Sequence, residues 1–295
     1  MQNVIECINL THKYGKKLIF KDLNFTVQRG KIFGILGKNG MGKTTIINIM
    51  MGFLQPTSGR IMVLSEESHN LSPQTRARIG LLHEGHLAYD FMTVEQVEKF
   101  YSKFFTNWKK EFYYELMNKM DMNYDHKISR MSCGQRSQVA LGLIMAQNPE
   151  IMILDDYSMG LDAGYRMLFL DYLLEYVHGN NKSVFMTSHI IQDLEKIIDD
   201  AIIIGYQKIL LQMPIKEFVN SFHRYCFITD SESLQLEKND IIKNFEVIKN
   251  KYSIYSFHDI NEIKAYFKQK NISYEDLQET FMTLEEAFIG LTGKY

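Results

Sequence analysis

The residues of this chain best suited to chemistry lie in "GKNGMGKT", Gly37 to Thr44, which fits the pattern G-x-x-x-x-G-K-[ST]. Glycines at these spacings let consecutive backbone N–H groups turn inward around an anion, and Lys43 adds a point charge. The hydroxyl of Thr44 is of the kind that reaches a Mg²⁺ ion carried on phosphates. The chemistry expected is therefore the cradling of the β- and γ-phosphates of a nucleotide. The setting separates this loop from an ordinary glycine-rich turn. "KIFGIL" (31–36) is a compact apolar run that reads as a buried strand, and "TTIINIMMGF" (44–53) has apolar residues at helical spacing.

Two further stretches carry suitable groups. "ILDDYSMGLD" (153–162) runs an apolar strand into two aspartates, and a strand ending this way puts them at the carboxyl edge of a sheet, where α/β proteins bind ligands. Asp155 is then the expected Mg²⁺ partner; without the phosphate loop, the pair would as readily just open a loop. "MSCGQ" (131–135) pairs Ser132 with Gln135 as a capping box, so a hydroxyl and helix-terminal N–H groups face outward, suited to an anion.

The elements that must position these groups read as α/β. Residues 4–30 hold short, partly alternating runs that predict antiparallel strands at a sheet edge. "RIMVL" (60–64) reads as a strand that continues the strand and helix alternation of an α/β layer. Residues 93–122 predict mainly helix, opened by a Thr93/Gln96 capping box. From Ser132 to Leu211, "EIMILDD", "SVFMTSH" and "AIIIGY" are strands separated by helical segments. Pro214 marks a boundary. Beyond it, "YCFITD", "FEVIKN" and "YSIYSF" read as strands and "INEIKAYFKQKN" and "TLEEAFIGLTG" as helices, with Thr283 and Glu286 as another capping pair.

The 295 residues, 45% hydrophobic, suffice for one domain of ordinary size plus a small one. A formal charge of -2 offers no bulk positive field for nucleic acid or an anionic membrane. Cys7, Cys133 and Cys226 make neither a disulfide framework nor a zinc site, which suits a reducing cytosol. The amino terminus lacks a basic region followed by a long apolar run. Apolar stretches such as "AIIIGYQKILL" break well short of the roughly 20 residues a membrane helix needs, so the chain is not expected to span a membrane.

In this order of motifs, "MSCGQ" resembles the signature of ABC ATPases, usually Leu-Ser-Gly-Gly-Gln, and the resemblance covers residues 1 to about 211. It implies an α/β fold of the ABC-type P-loop ATPases: a mixed-sheet core, an antiparallel β subdomain and a helical subdomain at about 86–145. The ATPase domain would span 1–212, followed by a small α+β module at 213–295. In that family two nucleotide domains pack head to tail, so ATP lies between the phosphate loop of one and the signature of the other. The resemblance thus assigns ATP binding to Gly37, Asn39, Gly40, Gly42, Lys43, Thr44 and Thr45, and across the dimer to Ser132, Gly134 and Gln135. It makes Tyr14 the residue that stacks on adenine and Asp162 of "GLD" the D-loop aspartate. His189 of "MTSH" becomes the switch histidine that hydrogen-bonds the γ-phosphate. Glu84 takes the place of the Q-loop glutamine, which touches Mg²⁺ and senses the transmembrane partner, beside Thr44 and Asp155 as metal ligands. Each has a plainer reading: an exposed turn aromatic for Tyr14, an N-cap for Asp162, and surface or loop residues for Glu84 and His189.

The chain departs from the family pattern at five of these positions. Cys133 and Met131 replace a glycine and a leucine of the signature, Glu84 a glutamine and Tyr157 a proline, and Asp156 stands where a glutamate usually polarises the attacking water. Aspartate is one methylene shorter and withdraws its carboxylate by about 1 Å, a misplacement that costs on the order of 10²-fold unless the backbone compensates. Tyr157, lacking proline's fixed φ, permits such compensation. The resemblance implies a cytoplasmic ATPase subunit, peripheral on the inner face of the membrane, using ATP and Mg²⁺. It would act with a separate transmembrane permease and a second ATPase subunit, identical or different, and without nucleic acid. Export of a peptide, antibiotic or lipid-like substrate is the expected task. The alternatives are an ATP-binding regulatory module with very slow hydrolysis and a non-transport ABC ATPase. The aromatic-rich segment Phe100 to Tyr114 lies where the family docks its membrane subunit, though most of these rings are expected to pack a helical core.

Overall fold

The structure, a computed structural model, describes residues 2–82, 89–157, 161–188, 190–229, 234 and 236–293. The chain divides into two compact units, Met1–Gln212 and Met213–Tyr295.

In the first unit, β1 (Asn3–Tyr14) and β2 (Lys17–Gln28) form an antiparallel hairpin with Tyr14 opposite Lys17. β4 (Ser58–Val63) pairs antiparallel with the other side of β1, and β5 (Glu66–Glu67) with β4, giving the order β2-β1-β4-β5. The expectation that residues 60–64 continue the α/β alternation is thus corrected. In β4 Ile61 and Val63 are buried while Arg60 and Met62 are not. That alternation marks an antiparallel sheet with one face on the core.

The second sheet has the order β10 (Lys208–Pro214), β9 (Asp200–Gly205), β3 (Ile32–Gly37), β8 (Ser183–Thr187), β7 (Ile151–Leu154), β6 (Ile79–Leu82), and the strands from β9 to β6 run parallel. β7 and β8 are buried along their whole length, as strands covered on both faces must be. The rings of Phe25 (β2), Phe33 (β3) and Phe185 (β8) stack with centroids 6.0, 6.2 and 5.9 Å apart, joining the two sheets through one core. α1 (Lys43–Met50) follows β3 and adds Ile46, Ile47 and Ile49 to that core. α2 (Pro73–Arg76) precedes β6.

Helices α3 (Val94–Tyr101), α4 (Lys110–Lys119) and α5 (Cys133–Ala146) lie between β6 and β7, with α6 (Ala163–Asn180) and the short α7 (Ile191–Leu194) beyond. The Thr93/Gln96 capping box opens α3 as expected. Tyr113 is buried and its hydroxyl donates to the Val94 carbonyl at 2.8 Å. Phe104 of the same aromatic-rich segment is two-thirds exposed, so part of that segment is core and part is surface.

The second unit is a four-stranded antiparallel sheet with helices. α8 (Ile215–Ser221) leads into β11 (His223–Ile228), β12 (Asn244–Ile248), β13 (Lys251–Ser256), α9 (Ile260–Gln269), β14 (Glu275–Thr280) and α10 (Leu284–Thr292), with strand order β12-β13-β11-β14. Ile263 and Phe267 of α9 pack on Tyr225, Phe227 and Ile254 of the sheet. The Thr283/Glu286 capping box opens α10. β14, "EDLQET", has no apolar alternation to announce it; it is an edge strand with most side chains exposed and only Leu277 packed toward the core.

Candidate nucleotide-binding site

The phosphate loop joins β3 to α1, and its backbone leaves little choice of residue. Gly42 caps α1 at φ +91°, and a Cβ there would lie 2.6 Å from Ile19 Cγ2 and 3.0 Å from the Phe20 ring. Strand β2 therefore leans directly on the loop. No side chain caps α1, whereas Thr93 and Ser132 cap α3 and α5, so the first-turn N–H groups of α1 are left for an anion. Lys43 bends back over the loop and donates to the carbonyls of Gly37 at 2.7 Å and Lys38 at 3.2 Å. Burial pushes its pKa down, opposed by the carboxylates of Asp156 and Asp155. An incoming phosphate would compete for an ammonium already desolvated and already in place.

The strand order β3-β8-β7 brings the acidic pair to this loop. Asp155, 2% exposed, follows the last residue of β7. Its Oδ1 accepts from the Thr44 hydroxyl at 3.3 Å and from the Thr187 hydroxyl at 2.9 Å. The Asp156 backbone N–H donates to the same Thr187 oxygen at 2.9 Å, with Asp156 at φ +45°. Tyr157 is buried with its ring stacked on Phe169 at 4.8 Å, and burial foremost, then the Asp193 carboxylate, pushes its phenol well above the usual range. Two hard oxygens, hydroxyl and carboxylate, thus converge at the start of α1, a donor set that suits Mg²⁺ when phosphates complete its shell. Among the described residues, no three His, Cys, Asp or Glu side chains gather to hold a metal by themselves.

A cleft of about 630 Å³ opens over these groups. It gathers Asn39, Gly40, Gly42, Lys43, Thr44 and Thr45 with Asp155 and Asp156, and Tyr14 stands at its wall, half exposed. The Tyr14 ring rests edge-on against the buried His12 ring at 4.7 Å. Gly37 serves through its carbonyl. Sequence reasoning missed Lys17, Ile19 and Thr187, which also line the cleft. For Lys17 and Ile19 the signal was their place just across the hairpin turn from Tyr14; Thr187 sits inside the quoted "MTSH" and passed unremarked.

Ser132, Gly134, Gln135 and Asp162 do not line this cleft. The Ser132 hydroxyl accepts from the Gln135 N–H at 3.2 Å and the Gln135 side chain accepts from the Ser132 N–H at 3.0 Å. Asp162 caps α6, accepting from the Tyr165 N–H at 3.0 Å. A Cβ on Gly134 would lie 2.9 Å from the Tyr165 ring, so the amino-terminal turns of α5 and α6 pack together. Glu84 and His189 lie outside the described residues.

A phosphate loop between a parallel strand and a helix, with a carboxylate from a nearby strand end held against its threonine, defines a P-loop nucleotide-binding domain. Comparison with known proteins bears on the particular kind: the model of the ABC transporter family matches residues 20–158 of this chain. The chain is 25% identical over 313 residues to the bacitracin transport ATP-binding protein BcrA of Bacillus licheniformis, covering 99% of this chain and 98% of that protein. It is 25% identical over 302 residues to the Nod factor export ATP-binding protein I of Rhizobium johnstonii, covering 98% and 95%. In fold, it matches a solved ATP-binding subunit of an ABC transporter with TM-score 0.65 and 19% identity, over 74% of this chain and 92% of that one. Among the described residues no helix is long and apolar enough to cross a membrane.

Proposed function

We propose that this chain is the cytosolic ATPase subunit of a membrane exporter. It binds and hydrolyses Mg-ATP at a head-to-tail dimer interface and drives a peptide, antibiotic or lipid-like substrate through a separate membrane subunit. The observation that carries the reading is the convergence of the Thr44 hydroxyl and the Asp155 carboxylate, 3.3 Å apart, at the mouth of the phosphate loop. Mg²⁺, when bound, would neutralise phosphate charge there. Lys43 and the loop hold the phosphates, Tyr14 gives adenine a ring to stack on, and Asp156 orients the attacking water and accepts its proton. The dimer is supported by the position of Ser132, Gln135 and Asp162 away from the cleft, on helix starts where they can serve a partner's nucleotide. Export is supported by the relatives, one named for Nod factor export and one for bacitracin transport.

One observation favours a second reading, an ATP-binding module that closes on ATP and barely hydrolyses it. Asp156 has the shorter side chain, and its backbone turns through φ +45°. The test of transport is purification from native membranes. An exporter subunit brings down a protein with several membrane-spanning helices, and Mg-ATP binding is lost in Lys43→Ala. Recovery of ribosomes or DNA in place of a membrane protein would sink the transport reading.

A further inference from the structure

We propose that Thr187 is the positioning residue that sets Asp155 and Asp156 together against the phosphate loop through one shared hydroxyl. The inference rests on the reading of the cleft as a Mg-ATP site. β8 lies between β3 and β7, so its last residue is flanked by the strand that launches the loop and the strand that launches the two aspartates. Thr187 is in register with Ile35 of β3, and Met186 before it with Leu154 of β7, which puts Asp155 and Thr187 at adjacent strand ends.

The direction of the two hydrogen bonds follows from the chemistry of the groups. The Asp156 backbone N–H donates only, so the Thr187 oxygen accepts from it at 2.9 Å. The hydroxyl proton then goes to Asp155 Oδ1, also at 2.9 Å. Thr187 is 1% exposed, in a strand otherwise built of buried side chains, where a hydroxyl without partners would be desolvated without compensation. Valine has the same shape and would suit the packing without either bond. The hydroxyl fixes two things at once. It orients the carboxylate that the Thr44 hydroxyl also meets, and it anchors Asp156 in a left-handed conformation that residues other than glycine seldom adopt. One side chain thereby sets the metal ligand and the water-orienting carboxylate to a common reference.

The test compares wild type, Thr187→Val and Thr187→Ser for binding of a fluorescent ATP analogue, titrated with Mg²⁺ and also in EDTA, and for phosphate release. Loss of a group that orients a metal ligand typically weakens metal affinity or activity about 10–100-fold. Thr187→Val is expected to raise the Mg²⁺ concentration for half-maximal binding by about tenfold and to lower turnover at saturating Mg-ATP, while metal-free binding through the loop and Lys43 stays within twofold. Thr187→Ser, which keeps the hydroxyl, is expected to restore both. If Thr187→Val does not fold, Thr187→Cys, similar in size but a weak donor, takes its place. A valine variant with wild-type Mg²⁺ dependence and turnover overturns the inference, as does a uniform loss that includes metal-free binding or a serine variant as impaired as valine. A wild type that binds no nucleotide overturns the reading of the cleft along with it.

Discussion

Gly42 and Lys43 show how much of this site is backbone. At φ +91°, with β2 side chains 2.6 Å from where a Cβ would stand, Gly42 holds the turn that lets α1 start at the phosphates. Gly42→Ala is expected to lower nucleotide affinity by at least about tenfold and stability by about 1–3 kcal/mol, checked by nucleotide titration and denaturant unfolding. The neighbouring carboxylate pair is a subtler case. A residue before proline is pushed to extended conformations, and Tyr157 in place of proline frees Asp156 to turn to φ +45°. The loop glycines, Lys43, Thr44 and Asp155 were legible in the sequence because their spacing repeats a physical device for holding phosphate. Thr187 was not, because a threonine at the end of a buried strand takes its meaning only from strand order, which no local pattern reports. The turn at Asp156 is hidden for the same reason: its N–H partner is 31 residues away.

Among the elements, the parallel strands β3 and β7 are the easiest to read, as short, almost wholly apolar runs, whereas the parallel strand β6 goes unread in the sequence. The capping boxes at Thr93, Ser132 and Thr283 were equally plain, because their geometry is contained within four residues. β4 reads as a strand in the sequence but its sheet does not, since a strand's pairing partner is set by tertiary packing, and β14 is an edge strand without an apolar code. A charged clip ties three of these elements at their ends. Glu150, just before β7, accepts from Arg78 at 2.6 and 2.9 Å, just before β6, and from Arg29 at 3.0 Å, just after β2. The hydrogen bonds from Arg78 lead in pulling the Glu150 pKa below its ordinary value of 4.5, against the opposing effect of burial. The folded-state pKa lies below the unfolded one, so the stability it contributes is present above about pH 4.5 and is lost as pH falls through the folded value. Glu150→Gln is expected to cost about 1 kcal/mol at pH 7, a modest value because solvent reaches Arg78. The gap to wild type should close in acid, read as denaturant midpoints from pH 7 down to pH 3. A gap that is constant with pH would show that the carboxylate charge is not what holds the clip.

At the scale of the whole molecule, a near-neutral chain with a net charge of -2 carries a phosphate loop and, at 132–135, a segment that does not line the cleft over it. On the proposed reading a nucleotide site is completed only when two domains meet, so what ATP would do to the assembly depends on whether the bound nucleotide is hydrolysed. A motor must break the γ-phosphate bond to reopen, whereas a latch needs only to hold it. On that reading Asp156 decides between them, because it lines the cleft with Asp155 and Lys43 and is the carboxylate proposed to orient water. The most direct measurement is steady-state phosphate release from Mg-ATP by wild type and by Asp156→Asn. Turnover by the wild type with a loss of about 10²-fold or more in the variant is the expected result, and it makes Asp156 the working carboxylate of a motor. Equal release by the two proteins would contradict that role.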